Sequence, residues 1–137
     1  MDNTNTKLIP YLYFGGNCEE ALNFYASILD GKVNIVSRYD NPQMNTPLEY
    51  KNKVLHGQLH FGQIAIYGSD VFPGQQAEQS SGDVGLSLSF DSPEIGQQVF
   101  DLLAEGGKIG LPFTKQFWGG WHGNLTDKYG IRWMVNH

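Results

Sequence analysis

The sequence predicts an α+β chain built as two tandem βαβββ units. Three observations carry that reading. The order strand–helix–strand–strand–strand runs twice along the 137 residues. Matching landmarks keep a nearly constant spacing: Leu8 to Val84 is 76 positions, Asn17 to Ser92 is 75, and Lys32 to Lys108 is 76. The helix exits agree as well, Asp30-Gly31-Lys32-Val33 against Gly106-Gly107-Lys108-Ile109. A repeat of this kind sets the architecture before any motif is weighed. We read a single domain over residues 1–137, with repeat units at about 8–68 and 84–137.

Residues 1–7 are polar and read as a frayed end. Leu8–Phe14 (LIPYLYF) is apolar and aromatic and reads as a strand, with Pro10 pointing to an edge position or to an unpaired N–H on one side. Gly15-Gly16 breaks it. Asn17 then caps a helix, with Glu20 three residues on completing a capping box. Ala21, Leu22, Tyr25, Ile28 and Leu29 follow helical spacing on one face. Asp30-Gly31 stops this helix, with Gly31 as the residue just past its end. Lys32–Arg38 alternates as a strand, and residues 40–52 form a polar loop. Val54–Phe61 and Ile64–Tyr67 are strands joined by the turn Gly62-Gln63. Residues 68–83, rich in Gly, Ser and Gln, read as a linker.

In the second unit Val84–Phe90 is a strand. Ser92-Pro93-Glu94 starts a helix: a cap, a proline at the first helical position, then an acid favoured by the dipole. Ile95, Val99, Leu102 and Leu103 form its expected buried face, and Gly106-Gly107 ends it. Lys108–Phe113, Trp121–Thr126 and Ile131–Asn136 complete the strands, the last two joined by the turn 127–130.

Composition narrows the function classes. Apolar residues make up 40% and charged residues 17%, which excludes a disordered, highly charged segment. Fourteen acids against nine bases give a net charge of −5, with no Lys/Arg cluster. That balance argues against nucleic acid and against an anionic membrane surface as partner. No apolar run is long enough to span a bilayer. The first residues lack the basic and apolar regions of a signal peptide. The one cysteine, Cys18, cannot pair internally, so the expected setting is cytoplasmic and reducing. Each unit has one helix, and one helix covers one face of a small sheet. The other face must cover a ligand, the other unit or a second chain.

Three segments carry a family resemblance: Pro10–Tyr25 (PYLYFGGNCEEALNFY), Val54–Asp70 (VLHGQLHFGQIAIYGSD) and Phe117–Asn136 (FWGGWHGNLTDKYGIRWMVN). On its tandem repeat the chain resembles the vicinal oxygen chelate superfamily, which contains glyoxalase I, extradiol dioxygenases, and fosfomycin and bleomycin resistance proteins. Within it, the chain looks like the PhnB-like branch, some of whose members carry a demethylubiquinone methyltransferase label. The chain has no glycine-rich strand-to-helix loop for a nucleotide-like methyl donor. The resemblance implies a glyoxalase-like fold, in which the mixed sheets form an open cleft, and a homodimer. It also implies, for the enzymes of the superfamily, a divalent metal held by His, Glu or Gln from the first and last strands of each unit.

Those positions do not carry such residues here. Ile9–Phe14 has no His, Gln or Glu. Tyr67 stands about where an acid is expected, and Val84–Phe90 offers Gly85, Ser87 and Ser89. Met134 falls where the family glutamate would be, and a thioether is a poor ligand for a hard divalent ion. The expectation is no metal and no cofactor, with a relocated divalent metal as the alternative. His56 and His60 share one strand face with Gln58 between them. Four residues at ~3.3 Å each separate the histidines by about 13 Å, too far for both to hold one ion through ~2.1 Å bonds on a straight strand.

The remaining candidates form a list of cleft residues. His56 is the candidate acid–base or hydrogen-bonding group, and the alternative is a polar residue on a solvated face. Tyr11 and Tyr13 share a face, and Tyr67 is expected to meet them across the sheet; such rings suit a ligand cleft or a core. Phe117-Trp118-Gly119-Gly120-Trp121 reads as an aromatic lid or a packed turn, with Trp118 its cleft candidate. His122, just after it, is expected to be exposed. Arg132 and Met134 face the side opposite Trp133, where Arg132 would attract an anionic ligand or else stand as an exposed strand arginine. Cys18 opens a helix but reads as a plain thiol. The sequence thus points to a homodimeric small-molecule-binding protein whose cleft draws on Tyr11, Tyr13, His56, His60, Tyr67, Trp118, Arg132 and Met134. The alternative is an isomerase, lyase or transferase acting on a small oxygenated metabolite through His56 or a relocated metal.

Overall fold

A computed structural model describes residues 2–77 and 82–137. Part of the segment read as a linker, residues 78–81, lies outside the described residues, as does Met1. Residues up to Ala77 form one compact unit and those from Gly82 onward the other. Each is a mixed four-stranded sheet with one helix.

In the first unit β1 (Tyr11–Phe14), β2 (Lys32–Arg38), β3 (Val54–Phe61) and β4 (Ile64–Asp70) lie in the order β1-β4-β3-β2, with α1 (Cys18–Leu29) between β1 and β2 in sequence. β1 pairs parallel to β4, and the other pairs are antiparallel. Leu8–Pro10 precedes β1 rather than belonging to it, and β1 is an edge strand, where Pro10 leaves no ladder bond unmade. β4 runs three residues beyond Tyr67. Gly68, Ser69 and Asp70 pair with Leu12, Tyr13 and Phe14, so the ladder and not local composition decides where the strand ends.

Two helix-end expectations change. The Asn17 side chain makes no capping bond. The amides of Gly16 and Cys18 donate instead to the Asp70 Oδ1 atom at 2.9 and 3.0 Å. At the other end Asp30, not Gly31, takes the left-handed conformation (φ 54°), and the Gly31 amide donates to the Ala26 carbonyl at 2.9 Å. Gly31 is needed for space: a Cβ there would stand 2.8 Å from Leu59 Cδ1 and 2.9 Å from the His60 carbonyl. Cys18, Ala21, Leu22 and Tyr25 of α1 pack on Phe14, Val54, Leu59 and Ile66 to form the unit's core. The loop after β2 contains two short 3₁₀ turns, Pro42–Met44 and Leu48–Tyr50.

The second unit repeats the order: β5 (Leu86–Ser89), β6 (Lys108–Lys115), β7 (Trp121–Thr126) and β8 (Arg132–Asn136) lie as β5-β8-β7-β6, with α2 (Pro93–Ala104) after β5. Ser92 caps α2 by accepting from the Ile95 amide at 3.2 Å, as expected. Val99 and Leu103 are buried as predicted, but Gly96 and Phe100 complete the buried face in place of Ile95 and Leu102, which are 47% and 43% exposed. Gly96 sets this rotation, because the Phe113 ring lies 2.7 Å from where its Cβ would be, closer than any side chain allows. β5 is shorter than expected, starting at Leu86, and β6 longer, reaching Lys115.

Candidate functional site

Alternation on each sheet sends one set of side chains toward the helix and the other to the open face. In the first unit Leu12, Phe14, Gly57, Leu59, Ile66 and Gly68 face α1. Tyr11, Tyr13, Tyr67, His56, Gln58 and His60 therefore share the open face. Register brings them side by side, with Tyr11 opposite Tyr67 and Tyr67 opposite Gln58.

The contacts are specific. Tyr11 Oη lies 2.8 Å from His56 Nδ1, and the two rings stack at 5.6 Å. Tyr11 also meets Tyr13 at 5.1 Å and the edge of Tyr67 at 6.4 Å. Tyr67 stands edge-on to His56 at 5.1 Å and to His60 at 6.2 Å. Gln58 links the two histidines: its Nε2 is 3.0 Å from His56 Nε2, and its Oε1 is 3.0 Å from His60 Nε2. The row Tyr11–His56–Gln58–His60 is thus one continuous hydrogen-bonded line. Gln58 donating to His56 makes His56 donate from Nδ1 to Tyr11; the reversed amide reverses each bond, so two self-consistent proton arrangements exist. Burial raises the Tyr11 phenol above the ordinary tyrosine range, against the lowering effect of a hydrogen bond with Ser69. Tyr11 is accordingly a neutral donor or acceptor at physiological pH.

A pocket of about 630 Å³ opens beside this row. His60, Tyr67, Lys7 and Gln63 give it polar groups; Leu8–Pro10, Ile64 and Ala65 give it apolar walls. Of the predicted residues, Tyr11, Tyr13, His56, His60 and Tyr67 thus come together on one face.

Trp118, Arg132 and Met134 belong to the second unit. Arg132 and Met134 line a separate pocket of about 480 Å³ with Lys108, Asn124 and Thr126, and the Arg132 guanidinium donates to the Gly82 carbonyl at 2.6 Å. Trp118 is not part of that pocket. It stands with Phe117 on the β6–β7 hairpin tip, their rings edge to face at 5.0 Å, with 63% and 97% of their surfaces exposed.

His122 is half-buried and held rather than exposed: its Nδ1 lies 2.8 Å from Asn136 Oδ1, and Asn136 Nδ2 donates to Ser87 Oγ at 2.9 Å. Sequence reasoning missed Asn136, Ser69 and Asn124 as site residues. A signal was present in His56-Gly57-Gln58-Leu59 against His122-Gly123-Asn124-Leu125, 66 positions apart. That spacing departs from the repeat offset because the β2–β3 connection is longer than the β6–β7 one.

Cys18 is fully buried, and burial with the nearby Asp70 carboxylate pushes its thiol far above the ordinary range. Among the described residues no three His, Cys, Asp or Glu side chains converge to hold an ion. On β1 and β4 of the first unit Tyr11, Tyr13, Tyr67 and Ser69 offer hydroxyls, and on β5 and β8 of the second Ser87, Ser89, Met134 and Asn136 offer hydroxyls, a thioether and an amide. Neither set carries a carboxylate, so neither fits a hard divalent cation.

The whole-chain comparisons agree with one another. A family model described as 3-demethylubiquinone-9 3-methyltransferase matches residues 6–136. Protein YjdN of Escherichia coli (strain K12) is 31% identical, with 94% of this chain and 93% of that protein covered. The solved structure of protein PA1353 from Pseudomonas aeruginosa shares 34% identity over 96% of this chain and 97% of that one, with a TM-score of 0.84. A putative 3-demethylubiquinone-9 3-methyltransferase, PhnB protein, from Bacillus cereus shares 27% identity over 95% and 98%, with a TM-score of 0.80. More distant glyoxalase-related structures, at 14–18% identity, share the fold.

Proposed function

The chain belongs to the PhnB-like family of the vicinal oxygen chelate superfamily, the family whose description names 3-demethylubiquinone-9 3-methyltransferase, and from that premise we propose that it binds a small organic ligand without a resident metal. Fold alone does not choose a chemistry, so the reading rests on the site. The observation that carries it is the position of Tyr67. Its ring lines the pocket beside β4 while touching both histidines of the polar row. A ligand in that pocket would stack its apolar part against Tyr67, Ile64 and Leu8 and turn its polar part toward His60 and Lys7. The donor chemistry on β1 and β4, and separately that on β5 and β8, supports binding without a metal.

Methyl transfer has little support at the helix ends, where donor phosphates or carboxylates commonly sit. The start of α1 is already filled by the Asp70 carboxylate, and that of α2 by Ser92. Exposed apolar residues on the sheets, Val36, Ile109 and Leu111, support a homodimer. The single, buried thiol supports a reducing, cytoplasmic setting.

One observation favours an enzyme as the second reading. The 2.8 Å Tyr11–His56 contact can pass a proton, which an isomerase or lyase of a small oxygenated metabolite requires. Native mass spectrometry of protein purified without chelator, followed by thermal shift across a metabolite panel, tests both. A dimer that is metal-free and gains melting temperature with one ligand class, an effect lost in Tyr67→Ala, is the expected result. One divalent ion per chain would overturn the metal-free reading. Turnover of the bound compound that disappears in His56→Ala with folding intact would replace binding by catalysis.

A further inference from the structure

The second unit carries a histidine that the ligand reading above does not use, and its hydrogen bonding is more sharply determined than that of His56. Asn136 Nδ2 donates to two acceptors, Ser87 Oγ at 2.9 Å and the Leu88 carbonyl at 3.3 Å. A carbonyl can only accept, so this amide has one orientation, with its nitrogen toward β5 and its Oδ1 toward β7. Oδ1 can only accept in turn. The 2.8 Å contact to His122 Nδ1 therefore places the hydrogen on Nδ1. A neutral ring with Nδ1–H has its lone pair on Nε2, and among the described residues nothing is hydrogen-bonded to that atom.

His56 occupies the matching place in the first sheet. Both histidines precede the glycine of the third strand that lies against the helix: Gly57 beneath Leu22, and Gly123 beneath Phe100. Both are half-buried and both are anchored through Nδ1. They differ at Nε2. In the first unit Gln58, two residues on, reaches back to it at 3.0 Å. In the second unit the corresponding residue is Asn124, one methylene shorter. Its Oδ1 turns away to accept from the Leu111 amide at 3.1 Å, where the β6–β7 register shifts. The exchange of glutamine for asparagine thus leaves the His122 nitrogen unclaimed.

We propose that His122 is a second ligand-contacting histidine, whose Nε2 accepts a hydrogen bond or a proton from an O–H or N–H group of a small molecule on the open face of the second sheet. The ligand has an apolar ring or chain beside that donor. The hairpin tip bearing the exposed Phe117 and Trp118 ends just before Trp121 and His122, and Gln116 at its base donates to the His122 carbonyl at 3.4 Å. A phenolic hydroxyl is the simplest group of this class. The proposal stands on the second unit alone and does not depend on ligand binding at Tyr67.

Two measurements on the intact chain test it. Diethyl pyrocarbonate acylates an unprotonated imidazole nitrogen, and peptide mapping separates His56 from His122. His122 should react roughly fivefold faster, since His56 must first give up a hydrogen bond at the same nitrogen. Gln58→Ala should close that gap by raising the His56 rate. Equal rates in the unaltered protein, or a faster His56, would overturn the assignment of a free Nε2. Nitrogen-15 NMR of the ring then reads tautomer and ligand together, with phenol as the probe. The Nδ1–H form is expected, with an Nε2 resonance that moves on phenol addition. An Nε2–H tautomer, or an Nε2 resonance that phenol leaves in place, would sink the proposal.

Discussion

The Tyr11 hydroxyl and the His56 ring nitrogen meet at 2.8 Å although 45 residues separate them in sequence. The edge strand and the third strand are not neighbours; β4 lies between them, and the long phenol bridges across it. If this contact is energetically real, Tyr11→Phe and His56→Ala should each cost about 1 kcal/mol, and the double variant less than the sum of the two. Denaturant unfolding of the four proteins measures the coupling. A coupling of zero would mean that the two groups merely lie near each other.

Asp70 organises three segments at once. Its Oδ1 accepts from Gly16 and Cys18 at the start of α1, and its Oδ2 accepts from the Val54 amide at 2.8 Å at the start of β3. The carboxylate is 1% exposed, so removing it leaves three amides without their acceptor, those of Cys18 and Val54 in buried positions. Asp70→Ala should destabilise by roughly 3 kcal/mol or more, and Asp70→Asn by less, since one oxygen remains to accept. Equal losses in the two variants would show that the charge, not the number of acceptors, is what matters.

These two residues show where sequence reading succeeds and where it stops. The alternating patterns of β2, β3 and β7 and the Ser92-Pro93 helix start were legible because the determinants are local. Tyr11 with Tyr13, and His56 with His60, could be grouped because period two is a short-range rule, whereas Tyr67 meets Tyr11 through the parallel β1–β4 ladder. Asp70 could not be foreseen as the partner of the α1 N-terminus, since its 16- and 52-residue reaches depend on the folded sheet. Asn17 had the right residue type for a cap, yet a buried carboxylate supplied the bond. On α2 the periodicity was right but its phase was not: Gly96 carries no hydrophobic signal, and its contact with Phe113 fixes which face turns inward. Asn136 has nothing in its own neighbourhood to mark it, because its partners lie on β5 and β7.

The paired glycines make a comparative test of close packing. A Cβ on Gly57 would stand 2.9 Å from Leu22 Cδ1 and 3.2 Å from Val54 Cγ1, both ends of side chains that can shift. A Cβ on Gly123 would stand 2.7 Å from the Phe113 backbone as well as 2.8 Å from the Phe100 ring. Backbone cannot yield as a leucine methyl does. Gly57→Ala should cost about 1 kcal/mol and Gly123→Ala about 3 kcal/mol, the spread expected for overpacking. Thermal unfolding of the two variants orders them. A Gly57→Ala variant that is the less stable of the two would contradict the argument.

Alkaline pH should weaken the first unit through its buried phenols. Tyr39 is 1% exposed, and its hydroxyl donates to the Asp70 carbonyl at 2.7 Å. Burial, aided by the neighbouring Tyr50, pushes its phenol up to about 12, while an unfolded tyrosine ionises near its ordinary value of 10.0. The folded state therefore holds a proton that the unfolded state releases in this window. The contribution is whole below pH 10 and is lost as pH rises from 10 toward 12, amounting to about 2 kcal/mol at the upper end. Tyr50 and Tyr11, also raised by burial, act in the same direction. Urea unfolding at a series of pH values, in the unaltered chain and in Tyr39→Phe, isolates the effect. The variant starts lower because it lacks the hydrogen bond to Asp70, but its stability should fall less steeply above pH 10. Parallel curves would assign the alkaline loss to groups other than Tyr39.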